Sequence, residues 1–86
     1  MSERDVQGEV LAELRKVALR ELEYSGPLEP AHSLRGDLKL DSMGLIIFAV
    51  ALENRFRVKL QEEDAEALET VGDLIALVER RLKEAA

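Results

Sequence analysis

Apolar residues recur every three or four positions along three stretches of this 86-residue chain, and that spacing restricts it to amphipathic helices. The first stretch runs from about Glu3 to Glu23, with Val6, Val10, Leu11, Leu14, Val17, Ala18 and Leu22 on one face and Ser25-Gly26-Pro27 as its stop. The second runs from about Ser42 to Phe56, with Asp41 as N-cap and Ile46, Ala49, Val50, Leu52 and Phe56 as the expected core face. The last runs from Val71 to about Glu84 and buries Val71, Leu74, Ile75, Val78 and Leu82. Thr70 caps it, and Asp73 three residues on makes a near relative of the capping box. Arg57-Val58-Lys59-Leu60 reads as a short extended connector, followed by a short acidic helix over about Gln61 to Leu68 with Ala65 and Leu68 inward. The predicted fold is all-α: a small up-and-down four-helix bundle, three longer helices and one short, in a single domain over 1–86.

The connection between the first two long helices, about Ser25 to Leu40, is long for a domain of this size and holds both prolines. Long loops of this kind are usually functional or disordered. Leu28, Leu34, Leu38 and Leu40 are spaced along it and would pin it to the core, so an ordered loop is expected. With aromatics at 3 %, Leu, Ile, Val and Ala must fill that core.

Charge and composition exclude several functions. A net charge of −6 opposes nucleic acid and anionic membranes as partners and favours proteins with basic patches. The most apolar run, Leu45 to Leu52, is far too short to span a bilayer, and the polar Met1-Ser2-Glu3-Arg4-Asp5 is not a signal peptide; a cytoplasmic monomer is expected. There is no cysteine, so thiol chemistry needs an attached group.

Within that frame one serine stands out. In Asp37-Leu38-Lys39-Leu40-Asp41-Ser42-Met43-Gly44 a polar loop gives way to an apolar helix, and Ser42 opens it. Free backbone N–H groups and the helix dipole favour an anion there, so Ser42 is suited to carry a phosphodiester. A Ser42–His32–Asp41 hydrolase is disfavoured: the chain has no nucleophile elbow, and its only histidine lies in the loop. The acids from Glu62 to Asp73 do not follow the spacing of an EF-hand loop, so no metal site is expected.

Four features in register resemble the acyl carrier protein family over nearly the whole chain. They are Asp37-Leu38-Lys39-Leu40-Asp41-Ser42-Met43, Ala51-Leu52-Glu53-Asn54-Arg55-Phe56, the acidic short helix, and Thr70-Val71-Gly72-Asp73-Leu74. The resemblance implies that a phosphopantetheinyl transferase moves 4′-phosphopantetheine from coenzyme A onto Ser42, whose arm then carries acyl groups as thioesters. The protein would be a carrier for fatty-acid, lipid or polyketide-type biosynthesis and not an enzyme. An acyl chain tucked between the helices is a further expectation. The rivals are a peptidyl or aminoacyl carrier, which tends to have Gly-Gly-Asp-Ser before the helix, and an unmodified four-helix interaction module.

Three departures from the family pattern matter. Lys39 stands where the family usually has Gly. Gly44 stands where an acid is common, so Gly44→Asp is expected to stabilise the helix through its first-turn charge. Leu45, Ile47 and Ala51 occupy a span where the family commonly places acids, leaving only Glu53. The expected docking residues are Asp41, Met43, Ile47, Val50, Glu53, Glu62 and Glu63, with a row through Met43, Ile47, Val50 and Asn54 lying off the core face. Partners are therefore expected to be acyl-loading and acyl-using enzymes with basic or apolar docking patches.

Overall fold

Three helices pack around one leucine-rich core in the computed structural model, which describes residues 5–61, 63–64 and 67–85: α1 (Val6–Glu21), α2 (Ser42–Phe56) and α3 (Val71–Ala85). Phe48, Leu14, Leu34, Leu52, Leu74, Val10, Val71 and Val78 lie wholly inside. α1 packs chiefly on α2 and less on α3. Among the described residues there is no strand, only an isolated antiparallel bridge between Ser33 and Thr70.

The predicted stripe of α1 is buried at Val10, Leu11, Leu14, Val17 and Ala18, with Val6 and Leu22 packed at its margins. The helix starts after Asp5, whose side chain accepts the Gly8 N–H at 3.1 Å. It ends at Glu21, short of the expected Glu23. Glu23 turns left-handed at φ 55°, and the Tyr24 N–H closes back on the Ala18 carbonyl at 2.9 Å. The stop therefore precedes Ser25-Gly26-Pro27.

α2 has the predicted bounds but a different rotation. Leu45, Phe48, Leu52 and Phe56 face the core, at the spacing of one helical stripe. Ile46 and Val50, expected inside, are 52 % and 46 % exposed. Ile47, expected off the core, is half-buried and packs against it. Leu45 is buried and Ala51 half-buried, so neither contributes much to the outer face.

α3 buries Val71, Leu74, Ile75 and Val78 as expected and adds Leu77, while Leu82, also expected inside, is half-buried. Of the expected short helix, residues 63 and 64 are helical; Glu62, Ala65 and Glu66 lie outside the described residues. Arg81 ties this segment to α3, reaching Asp64 at 2.8 Å and the Lys59 carbonyl at 3.2 Å.

Candidate cofactor-attachment site

The first loop is fastened to the core and to both neighbouring helices. Its four leucines, Leu28, Leu34, Leu38 and Leu40, are all buried, as predicted. Arg15 holds the Leu28 carbonyl at 3.1 Å from α1. On the other side the loop is bonded to the start of α3. The Gly72 N–H donates to the Pro30 carbonyl at 2.9 Å, Val71 to His32 at 3.0 Å, and Leu34 donates to Glu69 at 2.9 Å. His32 is part of this framework, its Nδ1 accepting the Glu29 N–H at 2.9 Å.

The last turn of the loop delivers the helix start. Asp37 accepts the Ser33 N–H at 2.7 Å, and Ser33 Oγ accepts the Gly36 N–H at 2.8 Å. Leu40 then donates to the Leu34 carbonyl at 3.0 Å. Leu38 and Leu40 both turn inward with Lys39 exposed between them, and Lys39 takes up left-handed backbone at φ 58°. A side chain there costs roughly 1–2 kcal/mol relative to glycine's freedom. That is the physical reason a glycine suits this position.

Asp41 is the N-cap, extended in backbone, with Oδ1 accepting the Gly44 N–H at 2.8 Å. The first backbone bond of the helix runs from Leu45 to the Asp41 carbonyl at 3.0 Å. Ser42 is the first helical residue and is exposed. The N–H groups of Ser42 and Met43 precede that bond and have no partner among the described residues. An anion on Ser42 Oγ would meet these donors and the positive end of the helix dipole, so the residues present fit a phosphodiester.

Gly44 sets packing against the charge expected of Gly44→Asp. It is buried, and a Cβ on it would come within 3.1 Å of Leu40 Cδ2 and 3.3 Å of Leu40 Cβ. The position seats the helix on the loop, and a side chain there requires Leu40 to give by a few tenths of an ångström. This crowding opposes the stabilising charge expected of Gly44→Asp.

The expected docking residues divide. Asp41, Met43, Val50 and Glu63 are exposed. Glu53 is half-buried and accepts the Leu60 N–H at 2.9 Å, so it fastens the connector after α2. Ile47 is half-buried, and Glu62 lies outside the described residues. The outer row runs through Met43, Ile46, Val50 and Asn54. Packing of Leu45, Phe48, Leu52 and Phe56 on the core turns Ile46 outward.

Acidic side chains beyond α2 also have structural work. Backbone N–H groups of Thr70 and Glu69 hold the Asp73 carboxyl below its ordinary pKa. For Asp64 the same shift comes first from the Gln61 N–H and then from Arg81. An apolar crevice of about 10 Å³ is lined by Leu45, Ala49, Leu60, Leu68, Leu74 and Leu77. It has room for about one water.

Comparison with known proteins agrees with this geometry. Residues 12–78 match the family model described as "Phosphopantetheine attachment site". The chain is 33 % identical over 85 residues to an acyl carrier protein of Rhodococcus erythropolis, covering 93 % of this chain and 89 % of the relative. It is 34 % identical over 76 residues to the meromycolate extension acyl carrier protein of Mycolicibacterium smegmatis, covering 86 % and 76 % of the two. In fold it superposes on the crystal structure of an acyl carrier protein from Thermotoga maritima with a TM-score of 0.87, at 19 % identity and over 99 % of this chain and 100 % of that one. The chain belongs to the acyl carrier protein family of phosphopantetheine-attachment domains.

Proposed function

We propose that Ser42 is the residue through which this acyl carrier protein holds its covalent 4′-phosphopantetheine. The observation that carries the assignment is the exposed hydroxyl on the first residue of α2, beside two backbone N–H groups without partners among the described residues. A phosphopantetheinyl transferase joins Ser42 Oγ to the phosphate of coenzyme A. The nucleotide half departs and the hydroxyl proton is released. The group supplies the thiol that this cysteine-free chain lacks, and acyl groups ride on it as thioesters. The chain's own part is to present the serine, to receive the phosphate at the helix start and to offer α2 to partners. It acts as one carrier domain, without catalysis of its own, in the cytoplasm. No helix among the described residues is long and apolar enough to cross a membrane.

The cargo is a fatty-type acyl chain. Leu38-Lys39-Leu40-Asp41-Ser42 supports this over a peptidyl or aminoacyl load, as does the 34 % identity to a carrier named for meromycolate extension. Because the crevice beside Leu45 and Leu74 has room for about one water, a chain sheltered there would have to part α2, α3 and the 60–68 segment.

Intact mass before and after incubation with coenzyme A and a broad-specificity transferase tests the assignment. The expected result is a gain of one phosphopantetheine in the native chain and none in Ser42→Ala. A gain that persists in Ser42→Ala would remove Ser42 from the role.

A further inference from the structure

We infer that the phosphopantetheine arm on Ser42 rests in the groove between the end of α1 and the end of the first loop, its uncharged amide portion held by both walls. The inference rests on Ser42 being the attachment residue and adds where the attached group lies.

The groove has a volume of about 500 Å³, within the range of about 300–1,000 Å³ usual for small-molecule sites. One wall is the chain just after α1: Leu22, Glu23 and Tyr24. The other is the last turn of the loop, residues 37–41, and Gly44 closes the groove at the first turn of α2. Ser42 lies in the chain between Asp41 and Gly44, so a group joined to its hydroxyl begins at the groove's edge. The groove shares no residue with the crevice at Leu45 and Leu74.

Its walls suit a polar chain without charge. Leu38 and Leu40 are buried and Leu22 half-buried, giving an apolar floor. The exposed rim is Glu23, Asp37, Lys39 and Asp41, three carboxylates against one ammonium, so it opposes an anionic occupant. Asp37 spends Oδ2 on the Ser33 N–H and Asp41 spends Oδ1 on the Gly44 N–H. Each keeps one oxygen as an acceptor, and the Glu23 carboxylate has no partner among the described residues. Donors are present as well. The backbone N–H groups of Glu23 and Lys39 have no partner among the described residues. These two residues stand on opposite walls, both in left-handed backbone, at φ 55° and 58°. Such strain in residues other than glycine clusters at ligand clamps.

The arm beyond its phosphate matches these walls. Its hydroxyl and two amide N–H groups are donors for the free carboxylate oxygens. Its two amide carbonyls are acceptors for the Glu23 and Lys39 N–H groups. Its geminal methyls suit the Leu22 and Leu40 surface. The phosphate, its one charged part, stays at the free Ser42 and Met43 N–H groups of the helix start.

Nuclear magnetic resonance of the isotope-labelled native chain, with and without an unlabelled arm, tests the placement. Intact mass confirms one phosphopantetheine on the modified form. Modification should shift the Glu23 and Tyr24 amides more than any other residue outside 37–46. Isotope-filtered spectra should show the arm's geminal methyls in contact with Leu22, Leu40 or the Tyr24 ring. The same pair of spectra is recorded on Glu23→Trp, which fills the groove from an exposed position, with circular dichroism to show that it is folded. There the methyl contacts should vanish and the Tyr24 shift should shrink severalfold. Shifts confined to residues 41–46, contacts at Leu60, Leu68 and Leu74 in their place, or contacts unmoved by Glu23→Trp overturn the inference and leave Ser42 in its role. If the native chain gains no phosphopantetheine, or Ser42→Ala gains it as well, the attachment reading falls, and this inference with it.

Discussion

The first turns of α2 and α3 are built from similar parts and end in opposite states. At α3 the capping is reciprocal. The Asp73 carboxylate accepts from Thr70 at 3.1 Å and Glu69 at 3.0 Å, and Thr70 Oγ1 accepts the Asp73 N–H at 3.1 Å. The loop supplies the remainder, through the Pro30 and His32 carbonyls that receive Gly72 and Val71. Every first-turn donor there has a partner within the chain. At α2 the cap reaches only Gly44; Ser42 and Met43 keep free N–H groups, and the first turn has no acid. A saturated helix start fastens a fold, while an open one holds an anion. The same loop makes both, since its middle closes α3 and its end leaves α2 open.

The sharpest way to break this comparison is to force a charge into the open end. Gly44→Asp brings a Cβ against Leu40 and a carboxylate beside Asp41 Oδ1, which lies 3.5 Å from that Cβ. Overpacking costs about 1–3 kcal/mol, against about 0.3–1 kcal/mol gained from first-turn charge. A net loss is expected, read as a lower melting temperature of the unmodified protein. A rise would mean that the α2 start tolerates the closure seen at α3.

Next in size is the cap of α3. Thr70→Ala should lower stability by about 1 kcal/mol, within the range for lost caps, and should leave the rate of Ser42 modification unchanged. Asp73→Asn should cost a similar amount with a defined pH dependence. Thr70 and Glu69 N–H groups depress the folded pKa of Asp73. Its contribution is therefore complete above the unfolded value of about 3.9 and is lost as pH falls through the folded one. The melting-temperature gap between native and Asp73→Asn should be full at neutral pH and close on the acid side. A gap that stays constant into acid would show that the carboxylate's charge is not what holds the turn.

These two helix starts also mark how far sequence reasoning reached. The α3 cap, the four loop leucines and the bounds of α2 were legible because each follows from local chemistry: a hydroxyl three residues before an acid, apolar side chains with no other place to go, an aspartate before an apolar run. The rotation of α2 was not legible. Leu45, Ile46, Ile47 and Phe48 are all apolar, so the periodicity that marks a face is degenerate, and only packing against α1 and the loop selects Leu45 and Phe48. The packing at Gly44 was not legible for a related reason. Its burial depends on where Leu40 lands, a tertiary fact, while helix propensity alone made it look like a weakness. The clamp of Arg81 on Asp64 joins residues too far apart in sequence for any spacing rule to pair them.

The smallest expected effect acts on the residue just before the open start. Lys39→Gly relieves left-handed backbone at φ 58° and should gain up to about 1 kcal/mol, the strain removed less the added freedom of the unfolded chain. For a domain of this size that is a rise of up to about 4–8 °C in melting temperature. Neither Leu38 nor Leu40 need move, and the Asp41 cap is untouched, so the free N–H groups of Ser42 and Met43 remain as they are. The variant should therefore be more stable and still be modified on Ser42. An unchanged or lower melting temperature would show that the left-handed backbone at Lys39 costs the folded chain nothing.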